Sequence, residues 1–146
     1  MVRGNQPARV DEKGRLKLPA EFKRLVDEKY GTLFYITSRD GVAAEIYPMP
    51  EWQRIEERLA AIPSFNAAKR KYLERVNYYG QTAEMDAQGR VLIPQILRET
   101  AGVTGDVLVF GYQTYLQVSN REDFTKHMDA NPMTEEDFKD LASMGF

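Results

Sequence analysis

The chain has 146 residues, 42% of them hydrophobic, enough for one good core or two small ones. Its 20 Lys and Arg against 22 Asp and Glu give a net charge of −2, which excludes a bulk polycation and, taken as a total, argues against nucleic acid as a partner. The absence of cysteine excludes disulfide scaffolds, thiolate metal sites and thiol nucleophiles, and a single histidine, His127, excludes a His-rich metal centre.

The opening MVRGNQPARVDEKGRLK has no apolar core of signal-peptide length, and no apolar run approaches the ~20 residues that span a bilayer. A soluble cytoplasmic protein is expected. In Asp11–Arg15, a short Asp side chain suits a turn and Gly14 suits a position of positive φ. Pro7, in the strand that leads in, lacks a ladder donor, so that strand is expected at an edge or with a late start. The strand that leaves the turn alternates, with Leu16 and Leu18 on one face and Arg15 and Lys17 on the other.

Pro19 stops that strand and suits the first turn of a helix over 20–30, with Phe22, Leu25, Val26 and Tyr30 on one face. Gly31 closes it, and 32–47 reads as two strands around a tight turn. After Pro48 and Pro50, Trp52, Ile55, Leu59 and Ile62 predict a helix over 51–62 that ends at Pro63-Ser64. A second helix over 66–79 is capped by Asn66 and closed by Gly80, with Tyr72, Val76 and Tyr79 on one face.

The pattern then repeats. Residues 9–24 (RVDEKGRLKLPAEFKR) and 84–99 (EMDAQGRVLIPQILRE) align without a gap, with Asp11/Asp86, Gly14/Gly89, Arg15/Arg90 and Pro19/Pro94 identical. Leu16/Val91, Leu18/Ile93 and Phe22/Leu97 keep apolar character, and Lys23/Arg98 keeps charge. A helix over 95–101 follows, placing Ile96, Leu97, Thr100 and Ala101 together, then Gly102 and a second hairpin over 106–118. Each copy is thus hairpin, helix, hairpin. A unit of ~50 residues is below the size at which lone domains usually hold together, so the halves are expected to share a core. Beyond the second copy, Ser119 and Glu122 predict a capping box for a helix through Phe124 and Met128. Asn131-Pro132 breaks the chain before Thr134 caps a last helix bearing Phe138 and Leu141, in a tail expected to be the least ordered part. The organisation read is 1–65, first repeat with its trailing helix; 66–80, connecting helix; 81–128, second repeat with its trailing helix; and 129–146, acidic tail.

Charge is distributed unevenly along this plan. Residues 1–25 hold seven bases (Arg3, Arg9, Lys13, Arg15, Lys17, Lys23, Arg24) against three acids, while 120–146 hold three bases against seven acids. A basic head and an acidic tail predict a charged partner met by one face. Comparing the copies separates roles: Asp11, Gly14, Asp86, Gly89 and Arg90 read as turn-building residues, whereas Lys13 and Lys17 have only Gln88 and Leu92 opposite them in copy two. Arg15 fits either role, as a staple to Asp11 or as a groove-reading group.

MVRG at the start, both DxxGR motifs, YPMPEW after the first hairpin and VLIPQILRETAG in the second unit resemble the MraZ family, bacterial regulators built from two SpoVT-AbrB-type units. The likeness spans roughly residues 1–128, and Val2 departs from it, standing where the family often has an aromatic residue. It implies an α+β, mainly β fold: a double-split β-barrel of swapped hairpins, with subunits closing into a homo-oligomeric ring. It also implies binding of double-stranded DNA at direct repeats upstream of division and cell-wall genes, close to the nucleoid, with Lys13, Arg15 and Arg3 as DNA contacts. Lys17 joins them from strand alternation alone. A turn carrying Lys and Arg enters a major groove as a two-stranded ribbon, where Arg forks onto guanine.

Other clusters read as structural. Lys69, Arg70, Lys71 and Arg75 form a solvated helix face, and Trp52, Tyr72, Tyr78 and Tyr79 are assigned to core packing. Glu56-Glu57 and Glu135-Glu136-Asp137 point apart on their helices, and His127 lies on the surface without a serine-centred motif. No catalytic residue, metal ligand, cofactor, small-molecule substrate or membrane partner is expected. The competing class is a protein-interaction or antitoxin-like adaptor with incidental DNA affinity.

Overall fold

A computed structural model describes residues 3–146; Met1 and Val2, and with Val2 the departure noted above, lie outside the described residues. Copy one supplies β1 (Asn5–Val10), β2 (Arg15–Lys17), α1 (Ala20–Lys29), β3 (Leu33–Thr37) and β4 (Ala44–Pro48). Two helices, α2 (Met49–Ala60) and α3 (Ala67–Tyr78), connect it to copy two: β5 (Gln81–Glu84), β6 (Arg90–Leu92), α4 (Gln95–Thr100), β7 (Gly105–Tyr112) and β8 (Tyr115–Asn120). Helices α5 (Arg121–Ala130) and α6 (Glu135–Ser143) complete the chain.

The eight strands form one antiparallel sheet in the order β5-β3-β4-β8-β7-β1-β2-β6. Its end strands, β5 and β6, are joined through the second DxxGR turn, so the sheet curls into a nearly closed barrel. The copies exchange strands rather than fold side by side. β1 pairs with β7 of the other copy from Asn5↔Phe110 to Val10↔Gly105, and β5 pairs with β3 in the equivalent way. β2 lies against β6 with Leu16 opposite Val91, its own counterpart in the repeat, so an approximate dyad passes through that pair.

One hydrophobic core fills the barrel. Leu16, Leu18, Phe22 and Val26 from copy one meet Val91, Ile93, Leu97 and Val103 from copy two, all buried. At about 25 cal/mol per Å² of apolar area removed from water, this shared burial stabilises a pair of units that are each too small alone. Pro7 is tolerated because β1 pairs with β2 only at Val10, leaving one side of the strand open at residue 7.

Several local expectations are corrected. The helix placed at 51–62 runs from Met49 to Ala60: Pro48 is its N-cap and Pro50 sits in its first turn, where a missing N–H costs nothing. Ser119 does not cap α5. It is buried within β8, and Asn120 caps instead, its side chain accepting from the Asp123 N–H at 3.0 Å. Tyr78 is 68% exposed, because the apolar face of α3 runs through Tyr72, Val76 and Tyr79 and its neighbour points away from it. Thr100 on α4 is exposed, whereas Leu97 and Ala101 are buried. The tail folds into α6, with Thr134 and Asp137 forming a reciprocal capping box. Among the described residues, no helix is long and apolar enough to cross a membrane.

Candidate nucleic-acid interface

The two DxxGR turns are built by the same hydrogen bonds. In the first, Asp11 Oδ1 accepts from the backbone N–H of Lys13 at 3.0 Å and of Arg15 at 2.8 Å, and Oδ2 accepts from Arg15 Nε at 2.9 Å. In the second, Asp86 accepts from the Gln88 and Arg90 N–H groups and from Arg90 Nε, each at 2.9 Å. Both carboxyls are held below the ordinary aspartate value. The largest cause is the backbone N–H of Arg15 or Arg90, followed by a smaller opposing desolvation and then the arginine side chain. Gly14 and Gly89 have φ of +85° and +76°, which explains why glycine stands there in both copies.

Asp11 therefore staples Arg15, but only through Nε. Among the described residues, the two terminal guanidinium nitrogens of Arg15 have no hydrogen-bond partner. Arg15 lies on the outward face of β2 with the exposed Lys17, while Leu16 between them is fully buried. Lys13 is exposed at the tip of the turn. Three of the four candidate contacts thus share one region. Arg3 does not join them: it precedes β1, at the opposite end of a six-residue strand, about 20 Å along the chain from the turn. Arg9, also in the basic head, pairs with Asp106 at 2.9 Å.

Strand exchange adds residues that the linear motif does not show. Lys17 of β2 sits directly opposite Arg90 of β6, and Arg15 opposite Leu92. Ile93 N–H donates to the Gly14 carbonyl at 2.8 Å and Leu18 N–H to the Gly89 carbonyl at 2.9 Å, so each turn is fastened to the other copy. Arg98, at the end of α4, lies over the first turn: a Cβ on Gly14 would meet its guanidinium carbon at 2.5 Å, and its Nε donates to the Ile93 carbonyl at 3.2 Å. Lys23 lies over the second turn in the same way, with its Cδ 2.9 Å from where a Gly89 Cβ would be, while its ammonium pairs with Asp27. The charge kept at Lys23/Arg98 between the two copies is the sequence signal for this arrangement. The other basic run stays apart from both turns, with Lys69 Nζ bound to the Ile62 carbonyl and Arg70, Lys71 and Arg75 exposed.

A hairpin-exchanged double-split barrel, made from one duplicated chain and carrying paired, cation-bearing Asp-Gly-Arg turns, is the class of protein these features define. The model of the family described as "MraZ protein, putative antitoxin-like" matches residues 1–75 and 80–143. A protein of Acidobacterium capsulatum named Transcriptional regulator MraZ is 66% identical over 145 residues, covering 99% of both chains. Its namesakes from Koribacter versatilis and Syntrophobacter fumaroxidans are 50% identical over 99% of each chain, and 33% identical over 86% of this chain and 83% of theirs. The chain belongs to the MraZ family.

Proposed function

We propose that the protein is a sequence-specific DNA-binding transcriptional regulator that acts at promoter direct repeats upstream of division and cell-wall genes. It works in the cytoplasm at the nucleoid, through basic turns displayed on a homo-oligomeric ring. The observation that carries this reading is the way Arg15 is held. Asp11 fixes the side chain through Nε and leaves the terminal nitrogens without a partner among the described residues, a preorganised fork of the kind that guanine O6 and N7 accept in the major groove. Lys13 and Lys17 beside it supply point charges for phosphate. The setting of Lys17 supports an anionic partner too: it stands opposite Arg90, whose charge Asp86 already takes up, and no carboxylate among the described residues pairs with Lys17 itself.

The mechanism is steric, with no chemical step. One turn pair binds weakly, several on a ring engage tandem repeats together, and the linkage raises affinity through effective concentration. Occupancy of the promoter then excludes polymerase. Arg15→Ala is the test. It is expected to weaken binding to repeat-bearing DNA by ~1–3 kcal/mol, the range for one good base contact, while light scattering shows an unchanged particle mass. An anisotropy titration that puts the variant within about threefold of wild type would end the groove-reading role. The second reading, a protein-interaction or antitoxin-like adaptor, draws on the uncovered apolar residues of α6, of which Phe138 is 53% exposed. Equal affinity for repeat and scrambled DNA at physiological salt favours it.

A further inference from the structure

A groove of about 800 Å³ runs beside α2, opposite the β7–β8 turn, and none of its lining residues belongs to the DxxGR turns. Its floor is apolar, with Ile55, Leu59 and Ile62 from α2 and the residues just after it, and its walls carry Arg39, Arg54 and Arg58. Arg39 and Arg54 are paired with Glu45 and Glu51, and both carboxylates are themselves buried, with side chains only 5% and 8% exposed. No acidic side chain therefore stands out at the rim to meet Arg58, which has no ion-pair partner among the described residues. An adjoining hollow around Arg39 and Tyr72 adds Lys71 and Arg75, likewise unpaired. An apolar floor with a cationic rim is the receiving half of a helix-in-groove contact.

The chain itself carries the matching half. Helix α6 has no buried residue, yet Phe138, Leu141 and Ala142 stand at i, i+3 and i+4 on one face. Glu135, Glu136, Asp137 and Asp140 flank that face against a single Lys139. The capping box at Thr134 and Asp137 fixes its start, so the helix reaches the groove preformed and loses little entropy on docking. Its nine residues are about 14 Å long and the twelve of α2 about 18 Å, so the shorter helix fits within the span of the longer. In its own chain α6 leaves the groove open.

We propose that α6 of one copy docks into the arginine-rimmed groove along α2 of a second copy. Phe138 and Leu141 cover Ile55, Leu59 and Ile62, and the carboxylates of α6 face Arg58, Lys71 and Arg75. Tail and groove are different surfaces of one chain, and passed head-to-tail from copy to copy the contact closes into a ring when the rotation between copies allows. The inference rests on the homo-oligomer part of the proposed function and is independent of DNA binding.

The lack of native cysteine makes the test clean. Full-length Leu59→Cys and Leu141→Cys chains are co-expressed and oxidised. The mixed disulfide-linked pair is expected to exceed, by at least about tenfold, that from Leu141→Cys with Glu28→Cys, an exposed control on α1, because docking raises the local thiol concentration. Adding Phe138→Ala is expected to weaken the association by about thirtyfold, the loss typical of a central anchor. A yield no greater than the control overturns the proposal, and so does a Leu59→Cys/Leu141→Cys single chain that closes only on itself. Sedimentation of wild type separates the failures: an oligomer without the cross-link overturns the tail contact alone, and a monomer overturns it together with the ring.

Discussion

The first and second DxxGR turns differ in their neighbours while sharing their hydrogen bonds. Each aspartate takes the same three donors from the same positions, and each glycine sits at positive φ beneath a basic side chain from the other copy. Around the first turn stand Lys13, Arg15 and Arg98; around the second stand Gln88, Arg90, Lys17 and the Asp27-paired Lys23. What is identical is therefore the part that bends the chain, and what varies is charge carried on it. Strand exchange also blurs ownership: Lys17 belongs to copy one by sequence and stands opposite Arg90 of copy two in space. The comparison teaches that the two turns form one structural unit on the β2–β6 ribbon.

The largest effects come from breaking what the copies share. Phe22 and its counterpart Leu97 are both fully buried in the common core. Phe22→Ala is expected to cost about 3–5 kcal/mol and Leu97→Ala about 2–5 kcal/mol, from lost transfer energy and the cavity left behind. Urea unfolding followed by both far-ultraviolet circular dichroism and Trp52 fluorescence is expected to give a single transition for each variant. Two transitions would mean that the copies fold as separate units, contrary to the exchanged strands.

A smaller effect sharpens the contrast between the turns. Lys13→Gln with Lys17→Leu gives copy one the residues of copy two at these positions and leaves every turn hydrogen bond in place. If each lysine meets one phosphate, the slope of log affinity against log salt should fall by about 1.8 for duplex DNA, with repeat-over-scrambled selectivity largely kept. Gln88→Lys with Leu92→Lys should raise the slope in the other direction. An unchanged slope in the first variant would remove the lysines from the interface and leave Arg15 and Arg98 to carry it.

How much of this was legible in the sequence follows from how local each feature is. The turn at Asp11–Arg15, the alternation through Lys17 and the Asn66 and Thr134 caps are decided within a few residues, and the repeat doubled the weight of the turn. The resemblance supplied the swapped barrel. Neither gave the particular neighbours. That Arg98 lies over Gly14, and that Lys17 faces Arg90, depends on pairings between residues some 75 positions apart. The Ser119 cap failed for a related reason: the register of β8 against β7, which pairs Leu108 with Ser119, draws that residue into the sheet and moves the helix start one position on. Arg3 comes in with the turn through the resemblance at MVRG, which carries no distance, whereas an extended strand separates the two.

The smallest expected effect tests whether the two turns are as alike in energy as in geometry. Asp11 and Asp86 both have their carboxyls held below the ordinary aspartate range in the folded chain, first by the backbone N–H of the following arginine. A depressed folded value contributes stability that is fully present above the unfolded value, near 3.8, and is lost as pH falls through the folded one. Stability should therefore decline as the pH falls below the unfolded value, near 3.8, part of it from these two groups. Asn in place of Asp keeps an oxygen for the two backbone donors and removes both the charge and the proton uptake. Asp11→Asn and Asp86→Asn are each expected to lower stability at neutral pH and to flatten the acid decline. Because the donors match, they should do so by equal amounts in urea titrations at a series of pH values. A larger effect at Asp11 would show that Lys13 and Arg98, which stand only around the first turn, lean on its charge to stay on the ribbon; equal effects would confine the difference between the turns to what they bind.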